Sequence, residues 1–102
     1  LITILLAGSQ PGLQVLDTNR KWVDVATNKG WLIINSGDML NKCSHNYYPS
    51  TIHRVVNPSE DKNVSRYSMP LFLHPRDEVV LNNDYTAKSY LEKRLKSLGL
   101  KQ

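Results

Sequence analysis

The chain has 102 residues, of which 40% are hydrophobic and 22% charged; this bounds it to one small domain with a modest core. It holds no low-complexity tract and no internal repeat, and its single cysteine, Cys43, excludes an intrachain disulfide framework and leads one to expect a reducing, cytoplasmic setting. The net charge of +4 is local: residues 87–102 carry Lys88, Lys93, Arg94, Lys96 and Lys101 against Glu92, while residues 1–86 carry eight basic and eight acidic side chains. An excess confined to one terminal stretch reads as a solvated helix face, so no nucleic-acid partner is expected.

Leu1–Leu6, "LITILL", is a continuous apolar run, which predicts a strand buried on both faces. It is too short for a membrane span and lacks the basic flank of a leader, so no membrane partner is expected. The chain opens inside this run and not on Met, so a fragment lacking its amino-terminal half is expected. Gly8-Ser9-Gln10-Pro11-Gly12 reads as a loop. "LQVLD" and "KWVDV" then form a hairpin across Thr18-Asn19-Arg20. Asn28-Lys29-Gly30 turns the chain into "WLIIN", which Ser36-Gly37 ends.

Asp38 is expected to cap a short helical turn through Lys42, because its side chain can accept the free amide protons there. Cys43 reads as a small buried hydrophobe rather than a nucleophile. "YYPSTIHRVV" is strand-like, with Pro49 marking a bulge or an edge. "NPSEDKNVS" is a polar loop whose Asn63-Val64-Ser65 has the form of a glycosylation sequon, discounted here for want of a leader. "RYSMPLFL" and the short "EVVL" follow as strands. Then the period changes: Tyr90 or Leu91, Leu95 and Leu98 recur at three- and four-residue steps, with Thr86 able to start the helix and Gly99 to end it. Seven or eight short strands and one terminal helix predict a sandwich or jelly roll.

Two of these strands carry polar residues where apolar ones are expected. Alternate side chains of a strand share a face, so Thr51, His53 and Val55 lie together, with Ile52, Arg54 and Val56 opposite. Likewise Arg66, Ser68, Pro70 and Phe72 oppose Tyr67, Met69 and Leu71. A guanidinium fork beside a hydroxyl suits a carboxylate ligand. It equally suits a cross-strand ion pair with a surface Asp or Glu, and a lone histidine in a strand is commonly satisfied by its neighbours. Spacing alone leaves both open.

"LITILLAGSQPGLQVLDTNRKWVDV", "GWLIINSGDMLNKCSHNYYPSTIHRVVNP" and "SRYSMPLFL" closely resemble the carboxy-terminal half of the isopenicillin N synthase-like family of Fe(II)/2-oxoglutarate-dependent dioxygenases, from residue 1 to about residue 81. The resemblance implies a mainly β fold, the carboxy-terminal portion of a double-stranded β-helix (jelly roll) with a C-terminal α-helix. Residues 1–102 then form part of one dioxygenase domain, with jelly-roll strands over 1–81 and the terminal helix over 84–99. It further implies that residues 57–65 carry the chain from one sheet to the facing one, so that His53 and Arg66 look into one cavity.

By the same resemblance His53 is the second histidine of a two-histidine, one-carboxylate iron site. Arg66 and Ser68 match the Arg-x-Ser pair that holds the far carboxylate of 2-oxoglutarate. Apolar residues near the iron would choose the substrate, which points to Leu5, Val55 and Phe72; plain core packing is the alternative for all three. No residue is assigned a catalytic role. The implied activity is a non-haem iron oxidoreductase using Fe(II), 2-oxoglutarate and O2 to hydroxylate or desaturate a small organic substrate. Some members dispense with 2-oxoglutarate, so Arg-x-Ser does not by itself prove it. The family's other two ligands form a His-x-Asp pair ahead of the first strand, and no His-x-Asp occurs here. His45 and His74 are not expected to replace it. The chain alone is therefore expected to be inactive without the amino-terminal segment of the same protein. The alternative is a non-catalytic jelly-roll remnant that binds a carboxylate ligand or a protein partner.

Overall fold

The computed structural model describes residues 1–8, 10–26, 28–57, 59–60 and 64–102. The sequon residue Asn63 and part of the 57–65 connection lie outside the described residues. In chain order the elements are β1 (Ile2–Leu6), β2 (Leu13–Leu16), β3 (Trp22–Asp24), β4 (Leu32–Ser36), α1 (Asp38–Cys43), β5 (His53–Val55), β6 (Pro70–Leu73) and α2 (Ala87–Ser97). One sheet has the order β4-β1-β6 and the other β3-β2-β5. The β5–β6 connection thus passes from one sheet to the other, as a jelly roll requires and a simple hairpin would not. Six strands are found among the described residues rather than seven or eight. "EVVL" makes only an isolated bridge, between Val80 and Thr86. No helix among the described residues is long and apolar enough to cross a membrane.

By its backbone contacts the chain divides into two compact units. One comprises Thr3–Asn35 and Thr51–Leu71. Its centre is β2, which pairs antiparallel with β3 on one side and β5 on the other. The β2–β3 turn closes because the Asp17 carboxylate accepts hydrogen bonds from the backbone N–H groups of Asn19 and Lys21, both at 2.8 Å. Asx turns of this kind are why aspartate suits such positions. Arg20 takes a left-handed conformation there, with φ of 61°.

Two expectations are corrected in this unit. β1 is half-buried rather than buried on both faces, and Leu6 is exposed. Its position between β4 and β6 satisfies its hydrogen-bonding edges, but a sheet gains burial only from what covers its faces. Among the described residues of this unit only Ala7 is a buried apolar residue. The "RYSMPLFL" strand is also shorter than expected. Arg66–Met69 join no ladder, and β6 begins at Pro70, where a residue without an N–H is best tolerated.

The second unit comprises Leu1–Ile2, Ser36–Ser50 and Phe72–Gln102. Met39, Leu81 and Ala87 form its buried cluster, with Leu1 and Tyr90 packed against it. Gly37, not Asp38, is the N-cap of α1, and no side chain caps it. Asp38 is instead the first helical residue, where a negative charge complements the helix dipole. Cys43 is exposed, not buried: α1 is six residues long, its buried contact is Met39, and the helix ends at the cysteine.

α2 follows its sequence signals at both ends. Thr86 and Ser89 form a reciprocal capping box. At the other end Gly99, with φ of 71°, donates to the Lys96 carbonyl, and Leu100 donates to that of Leu95. This pair of bonds satisfies carbonyls that the helix leaves orphaned.

Many large apolar side chains face solvent, among them Trp31, Ile34, Met69 and Phe72, the last 60% exposed. Monomeric soluble proteins seldom leave so much apolar surface bare. The isolated 102-residue chain is therefore expected to bind a hydrophobic dye and to self-associate. A monodisperse monomer without dye binding, seen by light scattering and fluorescence, would contradict this.

Candidate functional site

The β2 pairings decide which way the polar residues of β5 point. Val15 lies opposite His53 and Val23, and Leu13 opposite Val55. Cross-strand partners share a face, so His53 stands among Leu13, Val15, Val23 and Val55. The opposite face holds Gln14, Asp24 and Arg54. There the Gln14 side-chain amide donates to Asp24 at 2.8 Å, and the Arg54 Nε–H donates to Gln14 Oε1 at 2.9 Å. The Arg54 guanidinium also sits 4.1 Å from the Trp22 ring centre, a cation–π contact. Arg54 is thus satisfied by its own sheet.

His53 is exposed, and its Nδ1 lies 2.9 Å from the Thr51 carbonyl oxygen. A carbonyl only accepts, so Nδ1 must carry the proton. In the neutral ring Nε2 then keeps its lone pair, the arrangement of a metal-ligating histidine oriented by a backbone carbonyl. Among the described residues no group of three or more His, Cys, Asp or Glu is placed to hold a metal ion.

In the same unit a cleft of about 50 Å³ is lined by Leu5 and Leu6 of β1, Leu13 of β2, Ile33 of β4 and Val55 of β5, together with Arg66 and Ser68. Gly8, Gln10 and Tyr67 complete it. The space exceeds a single water's share of about 30 Å³ but falls well short of whole-ligand cavities of about 300 Å³ or more. It admits one carboxylate-sized group between apolar walls. Among the described residues the ion pairs are Arg76–Glu78 and Lys101–Glu92, so no described carboxylate neutralises Arg66. Of the residues singled out in the sequence, Leu5, Val55, Arg66 and Ser68 therefore come together. His53 shares a face of β5 with Val55 but does not line this cleft. Phe72, on β6, belongs to the other unit.

Sequence reasoning missed Gly12. Its φ is +135°, and a Cβ built on it would lie 2.7 Å from the Val56 carbonyl oxygen and 3.4 Å from Arg66 Nη1. "PGLQV" signalled a turn, but which side chain passes over the glycine depends on a residue 54 positions away in the chain. Gln10, the other polar side chain of the cleft, was likewise read only as loop.

The second unit has a larger cleft of about 320 Å³, lined by Lys42, Tyr85, Tyr90, Lys93, Arg94 and Ser97. Its cations are partly engaged: Lys93 donates to the Tyr85 hydroxyl and lies 5.0 Å from that ring's centre. The hydroxyl holds the Lys93 ammonium pKa above its ordinary value.

Comparison with known proteins decides the family. Residues 1–75 match the model of the 2OG-Fe(II) oxygenase superfamily. The chain belongs to that superfamily. That superfamily consists of enzymes that use Fe(II), 2-oxoglutarate and O2. The chain is 42% identical over 72 residues to the 2-oxoglutarate-Fe(II) type oxidoreductase hxnY of Emericella nidulans, covering 70% of this chain and 20% of that protein. Among solved structures, a Shewanella oneidensis protein superposes with a TM-score of 0.84 at 50% identity, over 98% of this chain and 38% of its own. A full-length Neurospora crassa protein, in complex with alpha-KG and thymine, superposes with a TM-score of 0.80 at 28% identity, over 95% of this chain and 34% of its own. The fold is accordingly a jelly-roll portion with a C-terminal helix. The chain spans about a fifth to about a quarter of the length of the curated relatives it matches.

The Thr51 contact fixes one tautomer of His53. Nitrogen-15 shifts of the metal-free chain at a pH where the ring is neutral are expected to report a protonated Nδ1 and a bare Nε2. The opposite pattern would remove His53 as an Nε2 ligand.

Proposed function

We propose that this chain supplies the acid-binding wall and one iron ligand of a non-haem iron oxidoreductase that couples 2-oxoglutarate decarboxylation and O2 to the oxidation of a small organic substrate. The observation that carries this is the cleft in which Arg66 and Ser68 stand together between apolar walls, with no described acid to neutralise the guanidinium. Such a setting favours an incoming carboxylate. The planar fork offers two parallel N–H donors and the hydroxyl a third. Leu5, Leu13, Ile33 and Val55 give the pair apolar neighbours on one side, while Arg66 and Ser68 themselves stay exposed to an incoming acid.

The fit is thus to the far carboxylate of 2-oxoglutarate, with the rest of the oxoacid extending out of the cleft. For iron the fit is to one position: Nε2 of His53, held by Thr51. One imidazole does not make a facial ligand set. The other two ligands, in this proposal, come from polypeptide outside these 102 residues, in the amino-terminal part of the same protein. With His53 Nε2 and those ligands in place, bound Fe(II) would supply the O2 activation that the oxidation needs, with 2-oxoglutarate consumed to succinate and CO2 as the co-reductant. Leu5 and Val55 are the proposed apolar contacts to the substrate; Phe72 is offered for the same role on its sequence position alone. The whole of residues 1–102 then belongs to one catalytic domain.

A second reading, a non-catalytic jelly-roll remnant that binds a carboxylate or a protein partner, is favoured by one observation: among the described residues no group of three or more His, Cys, Asp or Glu is placed to hold a metal ion. In the complete protein, Arg66→Lys separates the two. Lysine keeps the charge but loses the fork. Losing a charge-assisted bond costs about 1.5–3 kcal/mol, or roughly one to two decades in affinity. The KM for 2-oxoglutarate is expected to rise by that much, with iron affinity nearly unchanged. His53→Ala should lose iron first. Turnover that ignores both substitutions would sink the oxygenase assignment of these residues, and an absence of oxoacid-dependent O2 uptake in the wild type would favour the remnant.

A further inference from the structure

We propose that Gly12 is a positioning residue for the acid-binding arginine, its bare backbone forming the seat on which the Arg66 guanidinium packs. The inference rests on the assignment of Arg66 to the oxoacid. Three distances carry it. A Cβ at residue 12 would lie 2.7 Å from the Val56 carbonyl oxygen, 3.4 Å from Arg66 Nη1 and 3.8 Å from Val55 Cγ1. The first is a clash and the second the inner edge of van der Waals contact. The backbone cannot simply retreat from them. The Val56 N–H donates to the Gly12 carbonyl at 2.8 Å, and the next residue begins the β2 ladder with Leu13 opposite Val55.

Arg66 Nη1 thus lies beside the space that a side chain at residue 12 would fill, and φ of +135° is a conformation glycine adopts freely and L-residues do not. The functional consequence is ordering. Arginine has a long, rotamer-rich stem, and freezing it on ligand binding reduces affinity unless the protein has already done so. A fork seated against a fixed peptide meets the carboxylate with that loss already incurred. Gly12 touches neither oxoacid nor iron in this scheme; it acts only through Arg66.

The test uses the complete protein and a double-mutant cycle of Gly12→Ala with Arg66→Lys. Gly12→Ala alone is expected to raise the KM for 2-oxoglutarate about tenfold, with iron affinity and kcat at saturating oxoacid nearly unchanged. In the Arg66→Lys background the same substitution should raise KM far less, because the fork it disturbs is gone. Should Gly12→Ala not fold, Val55→Ile crowds the same space from β5 without touching the glycine's backbone, and should raise KM in the same background-dependent way. A folded variant with unmoved KM overturns the proposal. So does an equal rise in both backgrounds, which would mark a general backbone defect. If Arg66→Lys alone leaves KM unmoved, the assignment of Arg66 fails and the inference with it.

Discussion

The antiparallel pairing of β2 with β5 is the constraint on which the site depends. It sets three things at once: His53 opposite Val15, Val55 opposite Leu13, and the Val56 amide on the Gly12 carbonyl. Strand side chains alternate with a period of two, so a slip of one residue turns every one of them over. His53 would then move to the Gln14 face and Arg54 to the apolar one. Leu13 and Val55 would leave the cleft wall. The polar ladder Arg54–Gln14–Asp24 opposes this slip, because its hydrogen bonds form only in the observed register.

That ladder also explains why polar residues in strands are poor evidence of function when taken singly. Arg54 and Arg66 lie twelve positions apart, Arg54 between His53 and Val55 and Arg66 between Ser65 and Tyr67. Sequence alone cannot rank them. Arg54 has an amide acceptor at 2.9 Å and an aromatic face at 4.1 Å, so its Nε–H and one face of its guanidinium are already engaged within its own sheet. Arg66 lines a cleft with a hydroxyl and apolar walls. What distinguishes a recognition arginine from a structural one is what its neighbours leave for a ligand, and neighbours are a property of the fold.

The elements most legible in the sequence were those whose signals are local. The β2–β3 hairpin is bounded by turn residues within a few positions of its strands. α2 carries its capping residue, Thr86, and its terminating glycine, Gly99, in one short stretch. The pair Arg66 and Ser68 was legible through its spacing and through the resemblance, although the segment that carries it joins no ladder. What was not legible depended on contacts distant in the chain. The half-burial of β1 depends on what covers its sheet, the exposure of Cys43 on where α1 stops, and the importance of Gly12 on a guanidinium from residue 66. Asp38 was misplaced by one residue for a smaller reason: Gly37 reaches the extended N-cap conformation, and the aspartate then fits the first helical turn as well as the cap.

Unequal burial bears on how such a site could work. The cleft is built from five β-sheet side chains of four strands, Leu5, Leu6, Leu13, Ile33 and Val55, while Arg66 and Ser68 come from extended chain just before β6. Rigid walls with the charged group on a less regular segment would normally give a loose clamp, since a segment without a ladder has few bonds to hold it. In the proposal above Gly12 compensates: its bare backbone, hydrogen-bonded into the β2–β5 pair, lies beside the guanidinium, so that the sheet would help to place a side chain outside it. In the proposed site the β2–β5 register that presents His53 would then also govern where the Arg66 fork meets the carboxylate end of an oxoacid.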